Sequence, residues 1–215
     1  MDKHLLDQTA AAMVAKGKGL LAADESSGTC EKRFKSVGVE STEPNRRAYR
    51  DLLFTTKGVE EFVSGVILFD ETIRQSTIAG NEPFPGYLEK KGIIPGIKVD
   101  KGIHDLALCP GEKVTEGLDG LRERLQDYFR LGARFAKWRA VIAIGPGMPS
   151  HACLYANAHA LARYAALCQE TSLVPIVEPE VLLDGDHTIE QCYEATEATL
   201  SAVFAALRQW KNEFR

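Results

Sequence analysis

Short apolar runs of strand length recur along the chain, separated by longer stretches in which apolar residues return at helical spacing. GLLAADE (Gly19–Glu25), GVILFDE (Gly65–Glu71), IIPGIKVD (Ile93–Asp100), FAKWRAVI (Phe135–Ile142) and LVPIVEPEV (Leu173–Val181) read as strands. The clearest helices are expected over Lys3–Lys16, Pro44–Thr56, Leu118–Leu131, Ser150–Thr171 and from His187 to about Trp210. Pro44 suits a helix start, because its missing N–H would have no intrahelical partner there. Strand and helix alternation implies a parallel sheet covered by helices.

Doubly wound sheets and barrels share that alternation, so the polar positions must separate them. The chain has no GxGxxG and no GxxxxGK[ST], the phosphate turns that advertise a doubly wound sheet. Instead each apolar run ends in or contains charge: Asp24 and Glu25, Asp70 and Glu71, Lys98 and Asp100, Lys137 and Arg139, Glu178 and Glu180. Residues two apart on a strand share a face, and the C-terminal strand ends of a parallel barrel form its working mouth. One such pair would read as a solvated strand end of little energetic weight. Repetition in all five strands points to a barrel mouth.

Composition narrows the function. With 215 residues, 45% hydrophobic and 26% charged, the chain has the apolar mass for one sizeable globular domain, taken as residues 1–215. A net charge of −4 supplies no broad attraction to nucleic acid or anionic membrane, so partners are expected to be small molecules. Cys30, Cys109, Cys153, Cys168 and Cys192 are odd in number and lack zinc-ligand spacing, which fits reduced core thiols. His4, His104, His151, His159 and His187 share no triad-like spacing with Ser and Asp and are read as surface or capping residues. The N-terminal stretch lacks a signal-peptide core and no apolar run is long enough to span a bilayer, so a cytoplasmic location is expected.

The inward candidates combine Asp24, Glu178 and Glu180 with Lys98, Lys137 and Arg139. Clustered cations favour the neutral amine that imine formation or proton transfer needs, and they bind phosphorylated or carboxylated substrates. A nearby carboxylate can serve as general acid and base. AADESSGTCEKR (Ala22–Arg33) is expected to leave the first strand as a loop that could offer backbone N–H groups and a guanidinium to phosphate, or equally as a plain loop with a solvated basic helix start. GPGMPS (Gly145–Ser150) reads as a turn and helix start. No metal or other cofactor is required, since lysine can polarise a carbonyl as an imine.

Segment after segment, LLAADESSGTCEKRFKSVGVESTEPNRRAYRDLLF, GVILFDETIRQ, PGIKVDKG, FAKWRAVI and LVPIVEPEVLLDGDHTIEQC, the chain resembles the class I fructose-bisphosphate aldolases, over about Lys3–Leu207. The resemblance implies a (β/α)₈ TIM barrel and a metal-independent Schiff-base enzyme of glycolysis. Such an enzyme reversibly cleaves fructose 1,6-bisphosphate to dihydroxyacetone phosphate and glyceraldehyde 3-phosphate, usually as a cytosolic homotetramer. It further implies that Asp24 handles the C4 hydroxyl, that Lys137 lies beside the reacting carbons, and that Glu178, with Glu180 beside it, supplies acid and base. Ser26, Arg33, Lys98 and Arg139 match substrate- and phosphate-binding positions.

One part of the family pattern is not found. The Schiff-base lysine belongs to a segment of the type GTLLKPNM, whereas the helix read from His187 runs into SAVFAALRQWKNEFR, with residues 208–215 unmatched. Five strands against the family's eight imply an incomplete barrel of about five βα units, with little or no aldolase activity from this chain alone. Four readings follow: a shortened product of an aldolase gene; a non-catalytic aldolase-like protein that binds partners or full-length subunits; a partial reading of a longer gene; and another Schiff-base barrel enzyme acting on a different sugar phosphate.

Overall fold

The structure, a computed structural model, describes residues 1–210. In chain order the elements are α1 (Lys3–Met13), β1 (Gly19–Ala23), α2 (Ser27–Lys35), α3 (Glu43–Thr55), a 3₁₀ turn (Val59–Glu61), β2 (Val63–Leu68), α4 (Asp70–Ile73), α5 (Phe84–Lys90) and β3 (Ile94–Lys98). They continue with β4 (Gly102–Asp105), β5 (Lys113–Glu116), α6 (Leu121–Arg130), β6 (Phe135–Ile142), α7 (His151–Glu170), β7 (Val174–Val181) and α8 (Ile189–Gln209). Five strands form one parallel sheet in the order β1-β2-β3-β6-β7, a curled part-barrel with helices on its outer side. β4 and β5 make a separate antiparallel hairpin inserted after β3. The barrel expected from the strand pattern, incomplete as the family resemblance implied, is therefore the architecture.

Alternation along each strand separates two chemistries. On β6, Ala136, Trp138 and Ala140 point outward into the main core, where they meet Leu125 and Tyr128 of α6 and Leu161, Tyr164 and Cys168 of α7. Burying one such large apolar side chain is worth about 1.5–3 kcal/mol. The opposite face is graded along the strands. Phe135 at the start of β6 packs with Ile67 of β2 and Met13 of α1, supported by Ile94, Val174 and Ile176. Toward the C-terminal ends the same face carries Lys98, Lys137, Arg139, Glu178 and Glu180.

α1 closes the apolar end. Ser64 Oγ donates to the Met13 carbonyl at 2.6 Å, and the Asp2 amide donates to Ser172 Oγ at 2.7 Å, tying the helix to β2 and to the turn before β7. Phe135 needs space across this face, and two glycines supply it. A Cβ on Gly96 would lie 2.2 Å from the Phe135 ring, and one on Gly65 would lie 2.9 Å from Leu20.

Side-chain caps set several of the helix starts. Ser150 Oγ accepts from the Cys153 amide at 3.2 Å, and Thr188 with Gln191 forms a reciprocal capping box on α8. α3 is capped by Thr42, with Pro44 in its first turn. Elsewhere the structure departs from the expectation. The Ala22–Arg33 segment is not a loop, because α2 starts at Ser27, with Ser26 Oγ accepting from the Thr29 amide at 3.3 Å. This helix buries only Cys30 and Phe34, too short a stripe to show as periodicity. β2 ends at Leu68, so Asp70 and Glu71 open α4 and do not end a strand. The hairpin, with its mainly exposed GIHD strand, carries no apolar alternation to announce it.

Candidate active site

Four strand ends converge on the charged mouth: β1 delivers Asp24, β3 Lys98, β6 Lys137 and Arg139, and β7 Glu178 and Glu180. Lys98 stands opposite Lys137 in the β3–β6 register, and Arg139 opposite Glu178 in the β6–β7 register. The ion pairs run along the diagonals. Lys137 Nζ lies 3.4 Å from Asp24 Oδ2 and 3.4 Å from Glu178 Oε2, so through β6 it links β1 and β7, the two edge strands of the sheet. Arg139 Nε donates to Glu180, and Lys98 Nζ donates to Asp100.

The anions that these inward cations face are thus the chain's own carboxylates. The crowding of positive charge expected from Lys98, Lys137 and Arg139 does not arise, because each cation is paired with an acid. A partly buried ammonium without such a partner would cost several kcal/mol, of order.

The mouth encloses a cleft of about 620 Å³, with Asp24, Ser26, Lys98, Asp100, Lys137 and Arg139 among its lining residues. That is a volume suited to a small polar molecule. Burial pushes the Glu178 carboxyl above the usual range, against the pull of the Lys137 ammonium beside it. A carboxyl so placed exchanges protons closer to neutral pH than a free glutamate does.

Ser26 and Arg33 lie at the rim. Ser26 lines the cleft as the cap of α2, its hydroxyl 3.1 Å from Thr29 Oγ1. Arg33 does not line it; its guanidinium is engaged by Glu25 and lies 3.3 Å from Tyr49 Oη. Of the histidines, none lines the cleft.

Several residues that organise the mouth were not singled out from the sequence. Arg50, 2% exposed, donates to the Glu25 carboxylate and to the Glu25 carbonyl at 2.9 Å. Burial pushes the Glu25 carboxyl up, but the backbone N–H and the Arg50 guanidinium outweigh it and hold the carboxyl below its ordinary range. Arg46 makes a two-point pair with Glu71 at 2.8 and 2.6 Å. The signal was present in PNRRAYRDLLF: Arg46, Arg50 and Phe54 fall at i, i+4, i+8, placing cations in a stripe that faces inward. Tyr128 donates to Asp70 at 2.9 Å, and Arg124 donates to the Val99 carbonyl at 2.8 Å. Among the described residues no group of three His, Cys, Asp or Glu side chains could hold a metal ion, and no helix is long and apolar enough to cross a membrane.

A curled parallel sheet with a charged cleft at its C-terminal strand ends places the chain in the βα-barrel class. The model of the fructose-bisphosphate aldolase class-I family matches residues 5–212. The chain is 67% identical over 207 residues to a probable fructose-bisphosphate aldolase class 1 of Xylella fastidiosa strain Temecula1, covering 96% of this chain and 62% of that protein. It is 56% identical over 202 residues to fructose-bisphosphate aldolase 5, cytosolic, of Arabidopsis thaliana, covering 94% of this chain and 56% of that one. Among solved structures, the Plasmodium falciparum fructose-bisphosphate aldolase in a ternary complex with TRAP and a small-molecule inhibitor superposes with a TM-score of 0.94 at 50% identity. That match covers 97% of this chain and 60% of the other. The chain belongs to the class I fructose-bisphosphate aldolases, and it spans about 62% of the length of the first of these relatives.

Proposed function

We propose that this chain binds the sugar phosphates of the aldolase reaction, fructose 1,6-bisphosphate and dihydroxyacetone phosphate, in the cleft at the strand ends. The observation that carries the reading is Lys137 held between Asp24 and Glu178 at 3.4 Å each, flanked by Lys98 and Arg139. Lys98 and Arg139 are assigned to phosphate oxygens, with Ser26 and Arg33 contributing from the rim. Lys137 donates to the oxygens beside the reacting carbons. Asp24 is assigned to the C4 hydroxyl and Glu178, its carboxyl raised by burial, to the general acid and base position, with Glu180 holding Arg139 beside it; neither transfers a proton in cleavage until an imine is formed.

Cleavage through an imine needs a lysine poised as nucleophile. Lys98 and Lys137 are each engaged by carboxylates and are assigned here to binding, so the 215-residue polypeptide by itself is expected to bind substrate without turning it over. The test is intact-mass analysis after incubation with dihydroxyacetone phosphate and borohydride, run beside calorimetric titration with fructose 1,6-bisphosphate. Binding without a covalent adduct supports the reading. An adduct on Lys98 or Lys137 overturns the assignment of those lysines, and absence of binding overturns the proposal as a whole and favours a role through protein partners.

A further inference from the structure

β3 pairs with β6 only as far as Lys98 opposite Lys137, with the Val99 amide donating to the Lys137 carbonyl at 3.0 Å, and then turns away into the β4–β5 hairpin. In a parallel ladder alternate residues face the same neighbour, so Arg139 is the next residue of β6 whose backbone groups point toward β3. Among the described residues no strand pairs with them. Two side chains do so instead. Asp100 Oδ2 accepts from the Arg139 amide at 3.5 Å, and Thr115 Oγ1 donates to the Arg139 carbonyl at 2.8 Å.

Both side chains are themselves fixed. The Asp100 side chain, 3% exposed, also accepts from the Gly102 amide at 3.2 Å and from Lys98 Nζ, so one carboxylate touches the backbone of one mouth cation and the ammonium of another. Thr115 belongs to β5, and its amide donates to Asn157 Oδ1 at 3.3 Å on α7. Asn157 Nδ2 in turn donates to the Lys113 carbonyl at 2.9 Å, and Glu112 accepts from the Ser150 amide at 2.6 Å, locking the hairpin to the start of α7. The pair that holds the Arg139 guanidinium is different in kind: Arg139 and Glu180 are each 38% exposed, so an incoming anion can displace that carboxylate, whereas Asp100 has no room to leave.

We propose that Asp100 and Thr115 are the positioning residues of the anion site, substituting for a strand at the β3–hairpin junction so that Lys98 and Arg139 present their cationic groups to one phosphate-bearing ligand. The inference rests on the sugar-phosphate reading of the cleft. Removing the charge at Asp100 frees the Lys98 ammonium, and removing the hydroxyl at Thr115 releases the Arg139 carbonyl. Neither change deletes a cation.

The experiment compares the chain with Asp100→Asn, Thr115→Val and Thr115→Ser. Two readouts are taken: calorimetric affinity for fructose 1,6-bisphosphate, and the rate at which Lys98 is acylated by an N-hydroxysuccinimide ester, followed by peptide mass spectrometry. Asp100→Asn is expected to weaken binding about tenfold, and Thr115→Val by a few-fold, as loss of one hydrogen bond of a positioning group predicts. Thr115→Ser, which keeps the hydroxyl, should bind as the parent does. Lys98 should react faster in Asp100→Asn and at the parental rate in both Thr115 variants. Should Asp100→Asn fail to fold, the unaltered chain still decides the point, because the Lys98 ¹⁵Nζ resonance should show a through-hydrogen-bond coupling to the Asp100 carboxyl carbon. Parental binding that stays within about twofold in both Asp100→Asn and Thr115→Val overturns the proposal. So does an unchanged Lys98 rate in folded Asp100→Asn, or absence of that coupling. If the parent binds no sugar phosphate while Lys98 responds to Asp100→Asn, it is the functional reading that fails and the positioning role of Asp100 that stands.

Discussion

Gly96 is where packing and site geometry are coupled most tightly. An ideal Cβ at this position would lie 2.2, 2.3 and 2.6 Å from three atoms of the Phe135 ring, all well inside the 3.4 Å at which ordinary contact begins. The ring cannot swing away freely, since Phe135 is fully buried against Met13 and Ile67. Gly96→Ala therefore overpacks the inner face, at a cost of about 1–3 kcal/mol. The alanine also restricts the unfolded chain, which works in the opposite direction by about 0.4–1 kcal/mol, so the net loss should fall near 1–2 kcal/mol. Because Phe135 and Lys137 are two residues apart on β6, relief of the clash would move Lys137 relative to Asp24.

Urea unfolding followed by fluorescence of the buried Trp138 measures the loss. Gly28→Ala is the control, with nothing within 4 Å of its added Cβ. Pairing Gly96→Ala with Phe135→Leu should recover part of the loss relative to the sum of the single changes, the signature of two residues in contact. A Gly96→Ala chain as stable as its parent, or a double variant that is strictly additive, would refute the claim that Phe135 requires this glycine.

Arg50→Ala leaves the largely buried Glu25 carboxylate without its main partner and should cost about 3–5 kcal/mol at neutral pH by urea unfolding, with a smaller loss when Glu25→Gln is already present. Since the Glu25 carboxyl is held below its ordinary range in the folded chain, its contribution is present above the unfolded value and fades as pH falls through the folded one; acid titration of stability should lose a component in Glu25→Gln. Glu178 has the opposite sign: its carboxyl is raised by burial, so its ionisation disfavours the folded state as pH rises, and Glu178→Gln should make the chain slightly more stable at neutral pH, with the gain vanishing in acid. Thr188→Ala removes one half of the capping box on α8 and should lower stability by about 1 kcal/mol in the same unfolding assay.

Much of this protein was legible in its sequence because strand alternation converts residue order directly into faces. FAKWRAVI can only place Phe135, Lys137 and Arg139 on one side and Trp138 on the other, and repetition of that pattern in IIPGIKVD and LVPIVEPEV settled a parallel sheet with a charged mouth. The long helices α7 and α8 were equally visible, since their apolar residues return at helical spacing. What the order of residues did not determine was pairing across distance. Whether Lys137 meets other cations or the carboxylates of Asp24 and Glu178 depends on how β1, β6 and β7 are brought round one sheet. Nor do the short stripe of α2 and the mostly polar β4–β5 hairpin carry enough periodicity to be read, so Thr115, and Asp100 at the junction before it, acquire their roles only once the chain is folded. The physical reason is that a backbone period is local and repeats itself, whereas a buried charge or an unfinished strand edge is satisfied by whichever distant group the tertiary fold carries to it.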